Sequence, residues 1–431
     1  MMKKGKLTFV LAVLCLATLA CGTTGSPPTE NVGDVATIVV ETVIAEAPPE
    51  QSPLTVVYAY EGDVWLWMDD GLVVVKLTDS DQWVNDVRIS HDGQVIAFTT
   101  TESEGGSVPM GVWAMNVDGT NIRRLMDQAL LNLLSTKDIG FGVRFQRWEF
   151  IPGTQTLAFS TIDALEGPNW DTNDDLHLID TDTRTFTTLL DVAEGGEFYY
   201  SPDGSHIAIV TRENISLLKA DGSNRRDELL PSEEIDPSYL DTRVEIVPQW
   251  STDSTKFRVL VPSPDSTGPV ASIAVWEIPL DGSPASLLKS FTATLIFYRY
   301  KSFISPDLQR VAFVVRVGDN TRELHIADIE GPEDIVYKTG DILFYGWSPD
   351  SEKFVFLEDS QLSVGQLGVE SESLANTAST SLVEWVDADR FLYTATYTGD
   401  DLESHWGLWL KVVGYPSISV VLGYPTFDFP E

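Results

Sequence analysis

One phrase recurs along this chain: an apolar or aromatic stretch, a Ser-Pro-Asp-Gly-like turn, then a β-rich run. Its clearest copies are Tyr199-Tyr200-Ser201-Pro202-Asp203-Gly204, Phe303-Ile304-Ser305-Pro306-Asp307 and Gly346-Trp347-Ser348-Pro349-Asp350. Looser copies are Ile89-Ser90-His91-Asp92-Gly93, Phe150-Ile151-Pro152-Gly153, Trp250-Ser251-Thr252-Asp253 and Trp385-Val386-Asp387. A unit made only of strands cannot bury its own face, so neighbouring copies must stack. The expected fold class is all-β: a β-propeller of four-stranded blades.

The copy near Glu197 shows the strand order. An inner strand ends at Tyr200, the turn follows, and Ser205 to Thr211 forms a second strand. Asn214 to Lys219 makes a third, Asp221-Gly222 turns the chain, and Arg226 to Leu230 is the expected outer strand. Asp-Gly between alternating runs is a strong hairpin signal. Small Ala beside Phe, as in Ala97-Phe98, Ala158-Phe159 and Ala312-Phe313, suits closely stacked sheets. Sets of second to fourth strands begin near 55, 94, 155, 205, 256, 310, 353 and 390, and the set at 55 has no inner strand before it. Phe427-Asp428-Phe429-Pro430 reads as that missing strand with its turn. The expectation is eight blades, with seven as the alternative, and a ring closed by the C-terminal strand, which removes exposed sheet edges.

The phrase Trp-Ser-Pro-Asp, the following Ile-Ala-Phe-type strand and the Trp-x-Met-x-x-Asp-Gly hairpin resemble the WD40-like propeller repeat of TolB-type proteins. Ser201 to Ile209 and Val112 to Leu125 are the closest matches, and the resemblance spans nearly all of residues 54–431. It implies a fold. TolB-type proteins carry a separate N-terminal domain that contacts partners, where this chain offers only a stalk, so no Tol–Pal role is carried over. Related propellers cover the catalytic domain of prolyl oligopeptidase-like peptidases, and no hydrolase domain is expected after this ring.

The N-terminus predicts export. Lys3, Lys4 and Lys6 precede an apolar run from Leu7 to Ala20, a signal peptide over residues 1–20. Ala17-Thr18-Leu19-Ala20-Cys21-Gly22 resembles the bacterial lipobox, with Thr18 where Leu is usual. The expected mature end is a lipidated Cys21, anchored by acyl chains contributing ~0.8 kcal/mol per buried methylene. Residues 21–53, rich in proline, read as a flexible stalk that holds the 54–431 propeller off a membrane. Cys15 and Cys21 are the two cysteines, so the globular part has neither a disulfide nor a cysteine-bound metal.

With 65 acidic and 28 basic residues the chain carries a net charge of −37, which repels nucleic-acid phosphates. Catalytic motifs are missing: no Gly-x-Ser-x-Gly, no His-Glu-x-x-His, no P-loop. His177 and His325 hold matching third-strand positions, which argues for structural roles. Asp171-Thr172-Asn173-Asp174-Asp175 has the oxygen density of a calcium loop but not its spacing, and acidic residues between strands are ordinary turn formers. No cofactor is expected, with calcium as the one ion weighed.

The inner-to-second and third-to-outer turns are tight and share one face of the disc. The long connections, including Thr101–Pro109, Asp163–Asp174, Pro262–Val270 and Thr398–His405, share the other. Long loops on a rigid scaffold are where recognition usually sits. The candidate ligand residues are Trp170, Asp171, Asp174, Asp175, Tyr239, Tyr397, Asp400, Asp401 and Glu403. Aromatics beside carboxylates suit a protein, a basic peptide or a glycan. The sequence favours a monomeric, non-catalytic binding propeller, facing the periplasm or cell exterior. The alternatives are a propeller glycan hydrolase or lyase, whose paired carboxylates spacing alone does not reveal, and a structural envelope component.

Overall fold

The computed structural model describes residues 52–69, 72–79, 81–137, 142–164, 170–211, 214–231, 246–262, 271–293, 302–374, 380–398 and 403–430. They form eight antiparallel blades arranged in a ring. Each blade runs from the channel outward, and in blades 2 to 8 the turn phrase joins the inner strand to the second.

The turn chemistry explains why that phrase recurs. In Ser348-Pro349-Asp350-Ser351, the Ser351 N–H donates to the Ser348 carbonyl at 2.9 Å, closing a β-turn. The buried Ser348 hydroxyl donates to Asp350 Oδ1 at 2.5 Å and accepts the Lys353 N–H at 2.9 Å. Ser201–Asp203 and Ser305–Asp307 repeat the arrangement at 2.6 and 2.5 Å. The fourth turn position needs a left-handed backbone, which glycine adopts freely and Ser351 (φ 65°) adopts under constraint. Serine there has a use: Ser351 Oγ accepts the Asp307 N–H of the preceding blade at 2.9 Å, as Ser254 Oγ accepts that of Asp203 at 3.2 Å. In this way the turn of blade 4 is stitched to that of blade 5 and the turn of blade 6 to that of blade 7.

Alternation along the second strands buries both of their faces. In blade 2, Val95 and Ala97 pack toward blade 3, while Ile96 and Phe98 pack toward blade 1. Among the described residues there are eight apolar clusters, one for each junction between neighbouring blades, the eighth-to-first included. A ring with eight junctions for eight blades is closed.

The closure comes from the C-terminus. Blade 1 takes its inner strand, Thr426–Asp428, from the end of the chain, and its second strand, Thr55–Tyr60, from the start of the propeller. Val57 pairs with Asp428, Tyr58 with Phe427 and Ala59 with Thr426. Asp428 reaches on to blade 2, its Oδ2 accepting the Ile89 N–H at 2.8 Å.

One element differs from the sequence expectation. The outer strand of blade 4 shrinks to an isolated bridge between Leu217 and Arg226. Glu228 takes a left-handed φ of 51°, which ends the ladder, and Arg226 reaches the Pro279 carbonyl of blade 5 at 3.1 Å. The run from Leu130 to Leu134 falls in and just after a short helix, Gln128–Asn132, capped by Asp127, whose carboxylate accepts the Leu130 N–H at 2.9 Å. Leu131 is sealed against the junction of blades 2 and 3. No helix among the described residues is long and apolar enough to cross a membrane.

Candidate functional site

The inner strands line a central channel, and five blades widen it into a cleft of about 750 Å³. Its walls come from blade 1 (Asp428, Phe429), blade 2 (Asp86, Arg88, Ile89, His91), blade 3 (Phe145 to Phe150, Pro152), blade 4 (Tyr199, Tyr200, Pro202) and blade 5 (Trp250). A recess of about 270 Å³, sharing Arg147 and Tyr199, continues past Gln249 toward Trp347 and Glu384. Because His91, Pro152 and Pro202 belong to the turn phrases, the cleft reaches the tight-turn rim. The sequence assigns recognition to the opposite rim.

The strand Val143–Phe150 supplies most of the wall. A bulge lies between Phe145 and Arg147 in its pairing with the second strand of blade 3. Bulges re-aim side chains, and this one sits beside Gln146. Arg147 Nη2 donates to Glu149 Oε2 at 2.5 Å, and its guanidinium lies 4.5 Å from the Tyr199 ring centre. On the neighbouring strand, Arg88 Nη1 donates to Asp86 Oδ1 at 2.9 Å and Nε donates to the Trp148 carbonyl at 2.9 Å. The Trp148 indole returns a bond to Asp86 Oδ2 at 2.7 Å. Both arginines therefore have carboxylate partners within the wall.

Burial shapes the titration of the site. It works against the charge on Arg147, but Glu149, Tyr199 and Glu197 outweigh it and raise the guanidinium pKa. Burial pushes the Glu197 carboxyl up, and the Arg147 charge and the Gln146 amide bond only partly offset it. Burial, reinforced by Glu149, pushes the Tyr200 phenol up as well, so it stays a protonated donor at neutral pH.

Several polar groups here are unspent. Trp347 donates its indole N–H to the Phe303 carbonyl at 2.9 Å, and Trp385 donates to the Gly346 carbonyl at 3.3 Å. Each latches its inner strand to the carbonyl two residues before the turn serine of the preceding blade. Trp250 holds the same position in blade 5, yet its indole Nε1, on a side chain 7% exposed, has no partner among the described residues. The hydroxyl of Tyr200, also 7% exposed, is in the same condition, as are Gln146 Oε1, Arg147 Nε and Glu197 Oε2. A buried unsatisfied polar atom costs ~1–3 kcal/mol, so four on residues lining one cleft, with a fifth on Glu197, the partner of Gln146, require an explanation.

The residues expected from the sequence fall elsewhere. Cys21, Tyr239, Asp400 and Asp401 lie outside the described residues. Trp170 and Asp171 begin a three-residue strand, Trp170–Thr172, paired with Ile162–Ala164. Asp174 follows with a left-handed φ of 47°. Asp175, 1% exposed, accepts the Thr161 N–H at 2.7 Å and hydroxyl at 2.5 Å and lies 2.9 Å from His177 Nε2. Asp163 binds the hydroxyl of Ser135 at 2.6 Å and the N–H of Thr136 at 3.1 Å. These oxygens are spent on holding the blade 3 loop, and no group of three or more His, Cys, Asp or Glu converges among the described residues. Tyr397 packs 5.7 Å from His405 on blade 8, and Glu403 is exposed beside it. None of the described members of the expected set lines the cleft.

A signal for the cleft was present in the sequence. Trp83–Ile89 and Val143–Phe150 carry Asp86, Arg88, Arg144, Arg147 and Glu149, five charges on innermost strands whose counterparts elsewhere are largely apolar.

No family model matches the sequence, and no curated protein matches it. Solved structures do. Dipeptidyl peptidase 4 of Porphyromonas gingivalis superposes with a TM-score of 0.50 at 10% identity, over 84% of this chain and 56% of that one. An oligogalacturonate lyase in complex with manganese gives 0.44 at 12%, over 75% and 85%. TolB from Acinetobacter baumannii gives 0.33 at 15%, over 65% and 61%. At such identities the likeness is one of fold: this chain is a β-propeller.

Proposed function

We propose that this chain is an exported, lipid-anchored propeller that binds an extracellular or periplasmic ligand without converting it, and that the ligand seats in the central cleft. One observation carries the reading: the Trp250 indole N–H and the Tyr200 hydroxyl, deeply buried polar groups of two residues that line the cleft, have no partner among the described residues. A volume of about 750 Å³ is that of a ligand site, within the usual ~300–1,000 Å³. The absence of catalysis rests on the wall's chemistry. Arg88 and Arg147 are each bonded to a carboxylate, and Tyr200 stays protonated, which favours binding over conversion. Ligand classes in play are a protein or peptide segment and a glycan, met by a monomer tethered through Cys21.

A second reading, glycan cleavage, is favoured by Glu197, a carboxyl raised by burial as a general acid would be. The test is capture and turnover together. The purified full-length lipoprotein is incubated with envelope-derived glycans and peptides, and both retention and cleavage are measured. Retention lost in Trp250→Phe and Tyr200→Phe, with no products formed, is the expected result. Turnover abolished by Glu197→Gln supports the second reading. Failure to retain any glycan or peptide leaves the structural envelope role. Mass spectrometry of the mature N-terminus is expected to find an acylated Cys21; an unmodified residue there removes the tether.

A further inference from the structure

We infer that the ligand of the central cleft is an uncharged, hydroxyl-rich molecule, a neutral sugar unit alone or at the end of an oligosaccharide. The inference rests on the proposed role of the cleft as a ligand site, and it follows from what the wall has already spent and what it has left.

Charge is spent. Arg88 is bonded to Asp86 and Arg147 to Glu149, so each guanidinium charge is already balanced by a carboxylate and offers no net attraction to a uronate, a phosphate or a peptide C-terminus. Both Asp86 oxygens are taken, by Arg88 and by the Trp148 indole, and Asp428 Oδ2 holds the Ile89 N–H. The Arg147 guanidinium lies over the Tyr199 ring and against Glu149, which is where a ligand cation would otherwise sit.

Backbone is spent as well. A peptide joining a propeller channel by strand addition needs open N–H and C=O groups along the wall. Here the Ile89 N–H goes to Asp428, while the Val87 and Trp148 carbonyls take bonds from Arg88 at 2.6 and 2.9 Å. The ladder is closed by side chains at the places where a peptide would enter.

What remains is a mixed set: Trp250 Nε1 and Arg147 Nε can only donate, Gln146 Oε1 can only accept, and Tyr200 OH does either. A matching ligand must donate and accept at closely spaced points and carry no charge. Adjacent sugar hydroxyls each do both. The apolar side of the same wall, from Trp148, Tyr199, Tyr200 and Trp250, suits the C–H face of a pyranose ring.

The test is isothermal titration of the full-length protein in detergent micelles against three panels. These are neutral trisaccharides (maltotriose, cellotriose, xylotriose, mannotriose), charged ones (trigalacturonate, chitosan trimer), and uncharged and basic pentapeptides. Binding of at least one neutral trisaccharide is expected, with affinity unchanged between low and high salt. Trp250→Phe and Tyr200→Phe are each expected to weaken it about threefold to tenfold, and Gln146→Leu similarly. Unchanged melting temperatures in the two phenylalanine variants show that the fold survives. A charged sugar or peptide that binds instead, and weakens in these variants, overturns the neutral-sugar inference while leaving the cleft as the ligand site. Saccharide binding that these variants do not alter overturns both, and so does absence of binding across all three panels.

Discussion

Cutting the chain after Gly423 removes Tyr424 to Glu431 and with them the strand that closes the ring. The cost can be built from parts. Phe429, 8% exposed, packs in the cluster joining blades 8 and 1 with Leu54, Val56 and Tyr58. Losing a buried aromatic ring costs ~3–5 kcal/mol. The Ile89 N–H to Asp428 bond (2.8 Å) and the Thr426 hydroxyl to Asn85 carbonyl bond (3.1 Å) tie this strand to blade 2. Each contributes ~1 kcal/mol, and the short ladder to Val57–Ala59 contributes a similar amount. The total, ~6–8 kcal/mol, is a large share of a typical native stability of ~5–15 kcal/mol. In a domain of this size ~1 kcal/mol moves the melting point by roughly 1–2 °C, so a fall of about 8–15 °C is expected. Phe429→Ala alone is expected to give roughly half of it. Differential scanning calorimetry measures both, and limited proteolysis is expected to show new cleavage between blades 1 and 2. A truncated protein melting within 1 °C of wild type would refute closure by the tail.

Three further outcomes follow from the geometry. Asp203 has its carboxyl held down to about 2: burial raises it, but bonds from Ser201, Ser205 and Ser254 win. Its folded value lies below the unfolded one, so the contribution is complete above about pH 4 and lost as pH falls through about 2. Asp203→Asn should therefore destabilise by about 1 kcal/mol at pH 7, discounted for exposure, and by nothing measurable near pH 2; equal effects at both, in urea denaturation, contradict the turn chemistry. Leu131→Ala should cost ~2–4 kcal/mol, since Leu131 is 1% exposed, while Leu133→Ala, at 79% exposed, should stay within ~0.5 kcal/mol; similar losses contradict the cap. Trp347→Phe breaks the latch to the Phe303 carbonyl, which keeps its bond from the Ala312 N–H, a loss of ~0.5–1.5 kcal/mol, whereas Trp250→Phe breaks no internal bond and should cost less; the reverse order in calorimetry contradicts the latch comparison.

The fold was legible because its unit is local. Ser348, Pro349 and Asp350 make their turn with each other and with Lys353, so the phrase is written wherever the turn is needed. Counting such phrases counts blades, and the orphaned copy at Phe427 to Pro430 had only blade 1 left to complete. The outer strand of blade 4 was misjudged because its length is decided non-locally. Arg226 is drawn to the Pro279 carbonyl on the next blade, which no pattern within Arg226 to Leu230 reveals.

The cleft was illegible for the converse reason. Loop acidity marked Asp171, Asp174 and Asp175 as candidates, but acidity does not tell whether a carboxylate is open or spent. Asp175 is spent on Thr161 and His177, residues that only strand pairing brings near it. Trp250 was visible as a turn aromatic, one more copy of the position held by Trp347 and Trp385. Its distinction is a bond it fails to make. At the junctions of blades 6 with 7 and 7 with 8 the indole is used to hold the ring together. At the junction of 4 with 5 stability comes instead from a large apolar cluster containing Tyr199, Trp250, Phe257 and Trp276. That packing frees the indole from structural duty, and a rigid donor held at the rim of a cleft is the arrangement in which little entropy is lost when a ligand hydroxyl arrives.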